Sequence, residues 1–564
     1  METTSTRFRG ARPTALAFGT SGLRGLVTDI TDLEAYINTK GFLDYLLGIG
    51  DVGEGDHICI AGDLRPSTQS AKGGIMRAVA RAIEDAGLRV DNLGLIPTPA
   101  LTHYALQNGW ASVMVTGSHI PFDRNGIKFN RTAGEVLKAD EPGILEAVAA
   151  VRRAEYARPE AESLFQDDGA FKAGERPELP PVNDGARQLY MRRYLDFFPP
   201  QGLQGQKIVF FQHTAVGRDL LVELFEKLGA EVIAAARSDD FVAIDTEDIT
   251  PERLDELQKI ADDAIREHGP CQAVVSTDGD SDRPLLLGID PDGKVHFFGG
   301  DLLGIVVADY LDPDAISVPI SANDAVDLYF EAKGVAPLKT QIGSPHVILS
   351  MQAARSAGKR RVVGWEANGG FLTGSSITRN GRELAALPTR DAVLPVLAAL
   401  FSSLEKQCPL SALFDRLPPR YSKAGLIDAF PVETSRAMIQ RFSPTDAGVK
   451  EVVFDNGAVT LVFADGHSET ASTSAAKAQE AVRQQLAACF TSANGFDDIV
   501  RINTLDGVRI YFGNSEIAHI RPSGNAPQLR IYAVAGTQAR ANEIVSMSLR
   551  EPDGLLRQLE AGVK

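Results

Sequence analysis

His57-Ile58-Cys59-Ile60-Ala61 is a short apolar run. The amphipathic residues 73–86 follow it, then a second apolar run at 90–95 and a third, Ala111-Ser112-Val113-Met114-Val115. Apolar runs of this length bounded by turn residues predict buried strands, and the stretch between them carries helical spacing. Strands alternating with helices imply parallel or mixed sheets with helices packed on them, an α/β fold class. Working outward, the alternation recurs. A second unit has strands at 207–212, 231–235 and 273–276 with a helix at 218–228. A third begins near Lys294, with a helix at 304–310 and strands at 315–319 and 361–364. After Pro418 the texture changes. Residues 450–454, 458–463, 507–512 and 528–533 read as an antiparallel sheet beside a helix at 475–488, an α+β arrangement. Residues 154–184, rich in Pro, Glu, Asp and Arg, break the pattern and read as a linker or long excursion. The expected organisation is three related α/β domains with mixed sheets (1–153, 187–292 and 293–418), a linker at 154–186 and a C-terminal α+β domain at 419–564. The three share a pattern of elements, without the residue identity that would demonstrate a repeat.

Bulk composition narrows the function. With 564 residues, 44% hydrophobic and 23% charged, the chain is an ordinary globular sequence too long for one core. A net charge of -17 argues against nucleic-acid and anionic-membrane partners, both of which need a positive field. An anionic substrate would therefore need a local basic cleft. The four cysteines, Cys59, Cys271, Cys408 and Cys489, show no CxxC spacing, so neither a disulfide framework nor a zinc site is expected. Residues 1–13 lack the apolar core of a secretory signal, and no apolar run reaches membrane-spanning length. The expectation is a cytoplasmic protein; its oligomeric state stays open.

Three stretches carry chemistry. Val115-Thr116-Gly117-Ser118-His119-Ile120-Pro121 puts a hydroxyl on the turn after a strand, where active-site groups collect. Neighbours in sequence seldom form a nucleophile–base pair and no G-x-S-x-G elbow is present, so Ser118 and His119 do not read as a hydrolase pair. A serine that carries a phosphoryl group fits better, with Lys128 providing charge or a proton. Thr277-Asp278-Gly279-Asp280-Ser281-Asp282-Arg283 places three carboxylates at alternate positions of a Gly-containing turn, a donor set that suits Mg2+. Its spacing resembles the start of an EF-hand loop, without the glutamate at the twelfth position. An acid-rich solvated turn is the plain alternative, and a phosphatase with Asp278 as nucleophile is another, which would leave Ser118 without a role. Arg521-Pro522-Ser523-Gly524-Asn525 combines an arginine, a hydroxyl and backbone amides in one loop, which suits a phosphate. Together the three point to phosphoryl transfer.

These residues resemble the α-D-phosphohexomutases, the family of phosphomannomutases and phosphoglucomutases, over nearly the whole chain and in order. Phe18-Gly19-Thr20-Ser21-Gly22-Leu23-Arg24-Gly25 resembles the N-terminal Gly-Thr-(Ser/Ala)-Gly-x-Arg-Gly segment. Gly62-Asp63-Leu64-Arg65-Pro66-Ser67 resembles Gly-x-Asp-x-Arg-x-Ser. Residues 116–121 resemble the Thr-Ala-Ser-His-Asn-Pro phosphoserine loop, which Asn125-Gly126-Ile127-Lys128 closes. Asp278, Asp280 and Asp282 match the metal loop, with Arg283 following. Gly364-Trp365-Glu366-Ala367-Asn368-Gly369-Gly370 resembles the sugar-binding Gly-Glu-x-Ser-Gly loop with changes, and 521–527 resembles the Arg-x-Ser-Gly-Thr-x-Pro phosphate loop.

The resemblance implies a four-domain enzyme whose C-terminal domain grips phosphate. Phosphorylated Ser118 would donate its phosphoryl group to a hexose phosphate, and the resulting bisphosphate would turn over and return its other phosphate to the serine. Mg2+ on Ser118, Asp278, Asp280 and Asp282 would offset charge, and a hexose 1,6-bisphosphate would act as activator. Arg24 would add a cation and Lys128 would transfer the proton, its pKa depressed by Arg24 and Mg2+; His119 joins this catalytic group. Arg283, His346, Glu366, Asn368, Arg521, Ser523, Gly524 and Asn525 are the implied substrate contacts. Mannose is the implied sugar, with glucose also open. The alternatives are an amino-sugar phosphate mutase and a non-catalytic sugar-phosphate-binding protein. The sequence departs from the motifs at Gly117 (usually alanine), Ile120 (usually asparagine), Asn368 (usually serine) and Asn525-Ala526 (commonly Thr-Glu).

Overall fold

The computed structural model of the protein describes residues 16–18, 22–69, 74–247, 249–523 and 527–562. Gly19 to Ser21 of the first motif, Gly73 at the start of the first expected helix, and Gly524 and Asn525 of the phosphate loop lie outside the described residues. The chain divides into two compact units. One comprises the described residues up to Ser317 together with Gly343–Arg416; the other comprises Val318–Ile342 and the described residues from Leu417 onward. Among the described residues no helix is long and apolar enough to cross a membrane.

In the first unit the apolar runs are strands, as their pattern predicts. His57–Gly62 runs parallel to Arg89–Leu95 on one side and Ala111–Val115 on the other. Arg124–Arg131 then lies antiparallel to Ala111–Val115 and also pairs with Gly22–Leu26. Every residue of Ala111–Val115 is buried, which explains its unbroken apolar reading. Helix Asp32–Gly48 packs on this sheet, its N-terminus capped by Thr31, whose hydroxyl accepts the Glu34 N–H.

The second sheet repeats the plan. Lys207–His213 runs parallel to Glu231–Arg237 and to Ala273–Thr277, and Pro284–Ile289 returns antiparallel. In the third, Ala315–Pro319 and Val362–Trp365 are parallel and Phe371–Thr373 returns antiparallel, followed by Leu387–Asp391. The repeat that residue identity does not reveal is thus a repeat of strand order. It has a consequence for the site: in each sheet the connection from the last parallel strand to the returning strand carries one candidate loop. The first holds Ser118, the second Asp278 to Asp282, and the third Glu366.

The excursion after the first sheet is packed rather than loose. Helix Glu141–Ala157 runs into it, and beyond the helix Phe165 and Phe171 enter the core beside Tyr36. Asp32 anchors it by accepting the Phe171 N–H at 3.0 Å and pairing with Arg176 at 2.8 Å.

The C-terminal unit holds an antiparallel eight-stranded sheet in the order Tyr421–Ile427, Leu529–Ala535, Ile517–Pro522, Val508–Phe512, Ile499–Asn503, Val449–Asp455, Ala458–Phe463, Ser468–Thr470. Helix Thr473–Ala487 matches the expected one. Four of the strands escape the sequence reading. Tyr421–Ile427, for example, is a largely exposed edge strand with no continuous apolar signal.

Candidate active site

Ser118 begins the site. It is buried and sits in the left-handed region at φ 54°, a strained conformation for a side-chain-bearing residue. Two neighbours hold it there. Its N–H donates to the Thr116 hydroxyl at 2.8 Å, and that hydroxyl donates to Asp63 at 2.7 Å. Arg65, buried beneath the loop, donates to the carbonyls of Ser118 (3.0 Å), Pro121 (2.7 Å), Arg124 (2.8 Å) and Ile120, while its Nε pairs with Asp63. The Gly-x-Asp-x-Arg segment thus works as a clamp on the serine loop. The departure at Gly117 has a cause in the same place: a Cβ there would lie 2.5 Å from the Arg65 guanidinium carbon.

The aspartate loop approaches the serine loop closely. Gly279 makes this possible, since a Cβ on it would stand 2.7 Å from the Ser118 carbonyl oxygen. The Ser118 hydroxyl donates to Asp278 Oδ2 at 2.6 Å. Asp278 Oδ1 accepts the backbone N–H groups of Asp282 and Arg283 at 3.1 and 3.2 Å. Asp278, Asp280 and Asp282 are all buried, and one ligand oxygen from each lies within 4.8 Å of the others. Burial and the charges of Asp280 and Asp282 push the Asp278 carboxyl well above the usual carboxylate range. Asp282 goes the other way: against burial, Arg390, Lys128 and Arg283 hold it far below that range.

The donor set fits a hard divalent cation. Three carboxylates converge in a dry pocket, and Asp280 Oδ1 and Asp282 Oδ1 are buried with no hydrogen-bond partner, the signature of oxygens shaped for a ligand. Lys128, on the returning strand, pairs with their other oxygens, Asp280 Oδ2 at 2.6 Å and Asp282 Oδ2 at 2.8 Å. This corrects the expectation of a depressed lysine. Burial lowers its pKa, but the two carboxylates outweigh burial and raise it above the ordinary value.

Four cations ring this cluster. Arg24, on Gly22–Leu26, is brought down to about 10 by burial and by repulsion from Arg283 and Arg390. Arg283 lies 3.6 Å from Asp282 and 3.9 Å from Asp278. His119 touches Ser118 Oγ through Nδ1 at 3.4 Å, and burial, Arg283 and Arg24 lower it to about 2, so it is a neutral imidazole at neutral pH. Arg24 is depressed by its neighbours, whereas Asp282 holds Arg283 and Arg390 above their ordinary value against burial, so cations gather around the acidic triad inside an acidic protein.

Arg390 is the residue the sequence reading missed. It donates Nε and Nη2 to Asp282 at 3.1 and 3.0 Å and Nη1 to Glu366 at 3.0 Å, joining the aspartate loop to the Glu366 loop. The available signal was the adjacent charged pair Arg390-Asp391 inside an apolar strand–helix junction, where buried charge needs partners. Gly370 lies against it, since a Cβ there would meet the Arg390 side chain at 2.7 Å. Thr98 was also missed; its hydroxyl donates to Asp280 at 2.6 Å. Asn368 is turned to its own loop, its Oδ1 accepting the Gly370 N–H at 3.0 Å. His346 is half-buried on the first turn of helix Ser344–Ser356, whose Ser344 hydroxyl donates to Glu135 at 2.7 Å.

The remaining predicted contacts belong to the C-terminal unit. Arg521 is next to last in the strand Ile517–Pro522 and its Nε donates to Asp506 at 2.8 Å; the Ser523 N–H donates to Gln528 O at 2.9 Å. Both line a cavity of about 770 Å³ within that unit.

A serine hydrogen-bonded to a buried acidic triad, ringed by cations and carried on repeated α/β sheets, defines a phosphoryl-transfer enzyme. Comparison with known proteins agrees. The family models for phosphoglucomutase/phosphomannomutase, alpha/beta/alpha domains I, II and III, match residues 15–155, 190–290 and 299–421, and the model for the C-terminal domain matches 468–550. The chain belongs to the phosphoglucomutase/phosphomannomutase family. It is 36% identical to a phosphomannomutase of Sinorhizobium fredii over 94% of this chain and 98% of that one. It is likewise 36% identical to a phosphomannomutase of Salmonella muenchen over 94% of each chain. In fold it matches the crystal structure of a phosphoglucomutase/phosphomannomutase family protein from Burkholderia thailandensis, with a TM-score of 0.62 at 18% identity, covering 96% of this chain and 97% of that one.

Proposed function

We propose that this protein is a hexose-phosphate mutase, an isomerase that interconverts hexose 6-phosphate and hexose 1-phosphate, acting on mannose phosphates. The carrying observation is the 2.6 Å bond from the Ser118 hydroxyl to Asp278 inside a buried acidic triad ringed by cations. The two phosphomannomutase relatives, each aligned over 94% of this chain, support the sugar. The four-part division at 1–153, 187–292, 293–418 and 419–564 belongs to the same reading. It is supported by three sheets of one strand plan and a fourth of another.

In this reading phosphorylated Ser118 meets a hexose phosphate. The sugar hydroxyl attacks phosphorus and passes its proton to Lys128, the bond from phosphorus to Ser118 Oγ breaks while Asp278 returns a proton to Oγ, and a sugar bisphosphate forms. Arg24 and Arg283 stabilise the equatorial oxygens, and Glu366, fixed by Arg390, accepts sugar hydroxyls. In the return step the other phosphoryl group passes to Ser118 Oγ, the serine proton moves to Asp278, and Lys128 gives its proton to the departing sugar oxygen. The two carboxylates beside Lys128 favour its protonated form, the form that step requires. Mg2+ held by Asp278, Asp280 and Asp282 would neutralise charge on the transferring group and loosen the hold of those carboxylates on Lys128. A hexose 1,6-bisphosphate activator would prime the serine, and Arg521 with Ser523 would bind the phosphate that is not transferred. Gly524, Asn525, Asn368, His119 and His346 complete the assigned set. A phosphatase acting through Asp278 is disfavoured because both Asp278 oxygens already hold other groups.

The test is a coupled mutase assay with Mg2+ and a hexose 1,6-bisphosphate, comparing mannose 1-phosphate with glucose 1-phosphate. Turnover should vanish in Ser118→Ala and on chelation of the metal, and intact mass should show one phosphate on wild type and none on the variant. Wild-type turnover that survives in Ser118→Ala would refute the phosphoserine; a higher kcat/KM on glucose 1-phosphate would refute the sugar.

A further inference from the structure

Helix Val432–Phe442 lies in the interval between residues 421 and 468, which none of the four domain models matches. It nevertheless forms one wall of the 770 Å³ cavity that contains Arg521 and Ser523. Val432, Arg436, Ile439 and Gln440 line that cavity, at the spacing of a single helix face. Ser435, Met438 and Phe442 bury the other face, so the helix is fixed in place with its cavity face open. Arg436 is exposed on that face and, among the described residues, makes no hydrogen bond or ion pair. Arg521, by contrast, already has its charge balanced by Asp506, whose other oxygen accepts the Ile342 N–H at 2.9 Å.

A phosphate monoester carries between one and two negative charges at neutral pH. An arginine already paired with a carboxylate leaves most of that charge uncompensated, and the cavity holds one further unpaired cation. We infer that Arg436 is a second phosphate-binding residue of the C-terminal unit, gripping the non-transferring phosphate of the sugar together with Arg521 and Ser523. The inference rests on the mutase reading for the identity of the ligand. Arginine suits the role because its planar fork meets two phosphate oxygens at once. Its exposure in the free protein is the state expected of a group that waits for its anion.

The experiment pairs steady-state kinetics with calorimetric binding of mannose 1-phosphate, in wild type, Arg436→Ala, Arg436→Lys and Arg441→Ala. Arg441 is on the same helix outside the cavity, its Nε donating to Gln485 at 2.8 Å, and serves as the charge control. Arg436→Ala should raise Kd and KM about tenfold, the loss of one charge-assisted pair, and lower kcat/KM to match. Arg436→Lys should recover part of the loss, Arg441→Ala should match wild type, and all variants should melt together because the substituted positions are exposed. Kd and KM within twofold of wild type in Arg436→Ala, or an equal rise in Arg441→Ala, would overturn the inference. A wild type that binds mannose 1-phosphate but does not turn over, with binding weakened by Arg436→Ala, would refute the mutase reading and support Arg436. A wild type that neither binds nor turns over would overturn both.

Discussion

Replacing Gly117 by the alanine of the resembled motif should damage this protein, and the structure says by how much. The Gly117 backbone is not in the left-handed region, so an alanine meets no conformational penalty of its own. The cost is steric. The new Cβ would sit 2.5 Å from Arg65 Cζ, 2.7 Å from Nε and 2.9 Å from Nη2, where van der Waals contact needs about 3.5 Å or more. The guanidinium must therefore retreat by about 1 Å. It is only 2% exposed, so no open space receives it, and the Phe241 ring already lies 4.0 Å from its Cζ. A shift of that size breaks at least two of its bonds to the serine-loop carbonyls. At about 1.5 kcal/mol or more for each bond to a charged group, the loss is about 3 kcal/mol. The first unit has about 390 residues, and an unfolding entropy of about 2.1 cal/mol/K per residue turns that loss into a fall of roughly 4 °C in its thermal transition. Ser118 hangs on the same bonds, and a misplacement of about 1 Å at a reacting group costs about 10²-fold in rate. Scanning calorimetry and the coupled mutase assay on Gly117→Ala measure the two effects. A variant that melts within a degree of wild type and turns over within twofold would show that Arg65 does not set the shape of the loop.

Arg390→Ala should lower kcat/KM by about 10²-fold, because Asp282 and Glu366 lose their shared cation and the Glu366 loop loses its tie to the aspartate loop. Arg390→Lys should recover little, since a point ammonium does not reproduce the fork; full recovery by lysine would reduce the role of Arg390 to charge alone. In the C-terminal unit, burial and Arg509 lower His519 to about 3, against about 6.5 in an unfolded chain. The unfolded chain therefore binds the extra proton in that interval, so the stability tied to neutral His519 is complete above pH 6.5 and falls away as pH drops toward 3. Denaturation followed across that range should show a shallower acid loss in His519→Gln, and an unchanged pH profile would count against this assignment.

Much of this protein is legible in its sequence because much of it is local. The all-buried strand Ala111–Val115 and the helix at 475–488 announce themselves through periodicity, which only the chain's own backbone geometry and one apolar environment set. The serine and aspartate loops are legible for the same reason: each packs its chemistry into a few consecutive residues beside a strand, whereas the Glu366 loop is read only through its resemblance to a family motif. Exposed or short strands such as Tyr421–Ile427 escape, since a half-solvated edge carries no apolar signature. The common strand order of the three sheets is decided by tertiary pairing, and that order puts Ser118, the aspartates and Glu366 at equivalent connections. Which groups meet is also a tertiary matter. Arg390 reaches Asp282 across 108 residues and Thr98 reaches Asp280 across 182, and no local spacing encodes such pairs. The charge state of Lys128 shows the physical reason. The sequence supplies a lysine and three aspartates, but whether the lysine is depressed by cations or held up by carboxylates depends on distances of 2.6 and 2.8 Å that only folding creates.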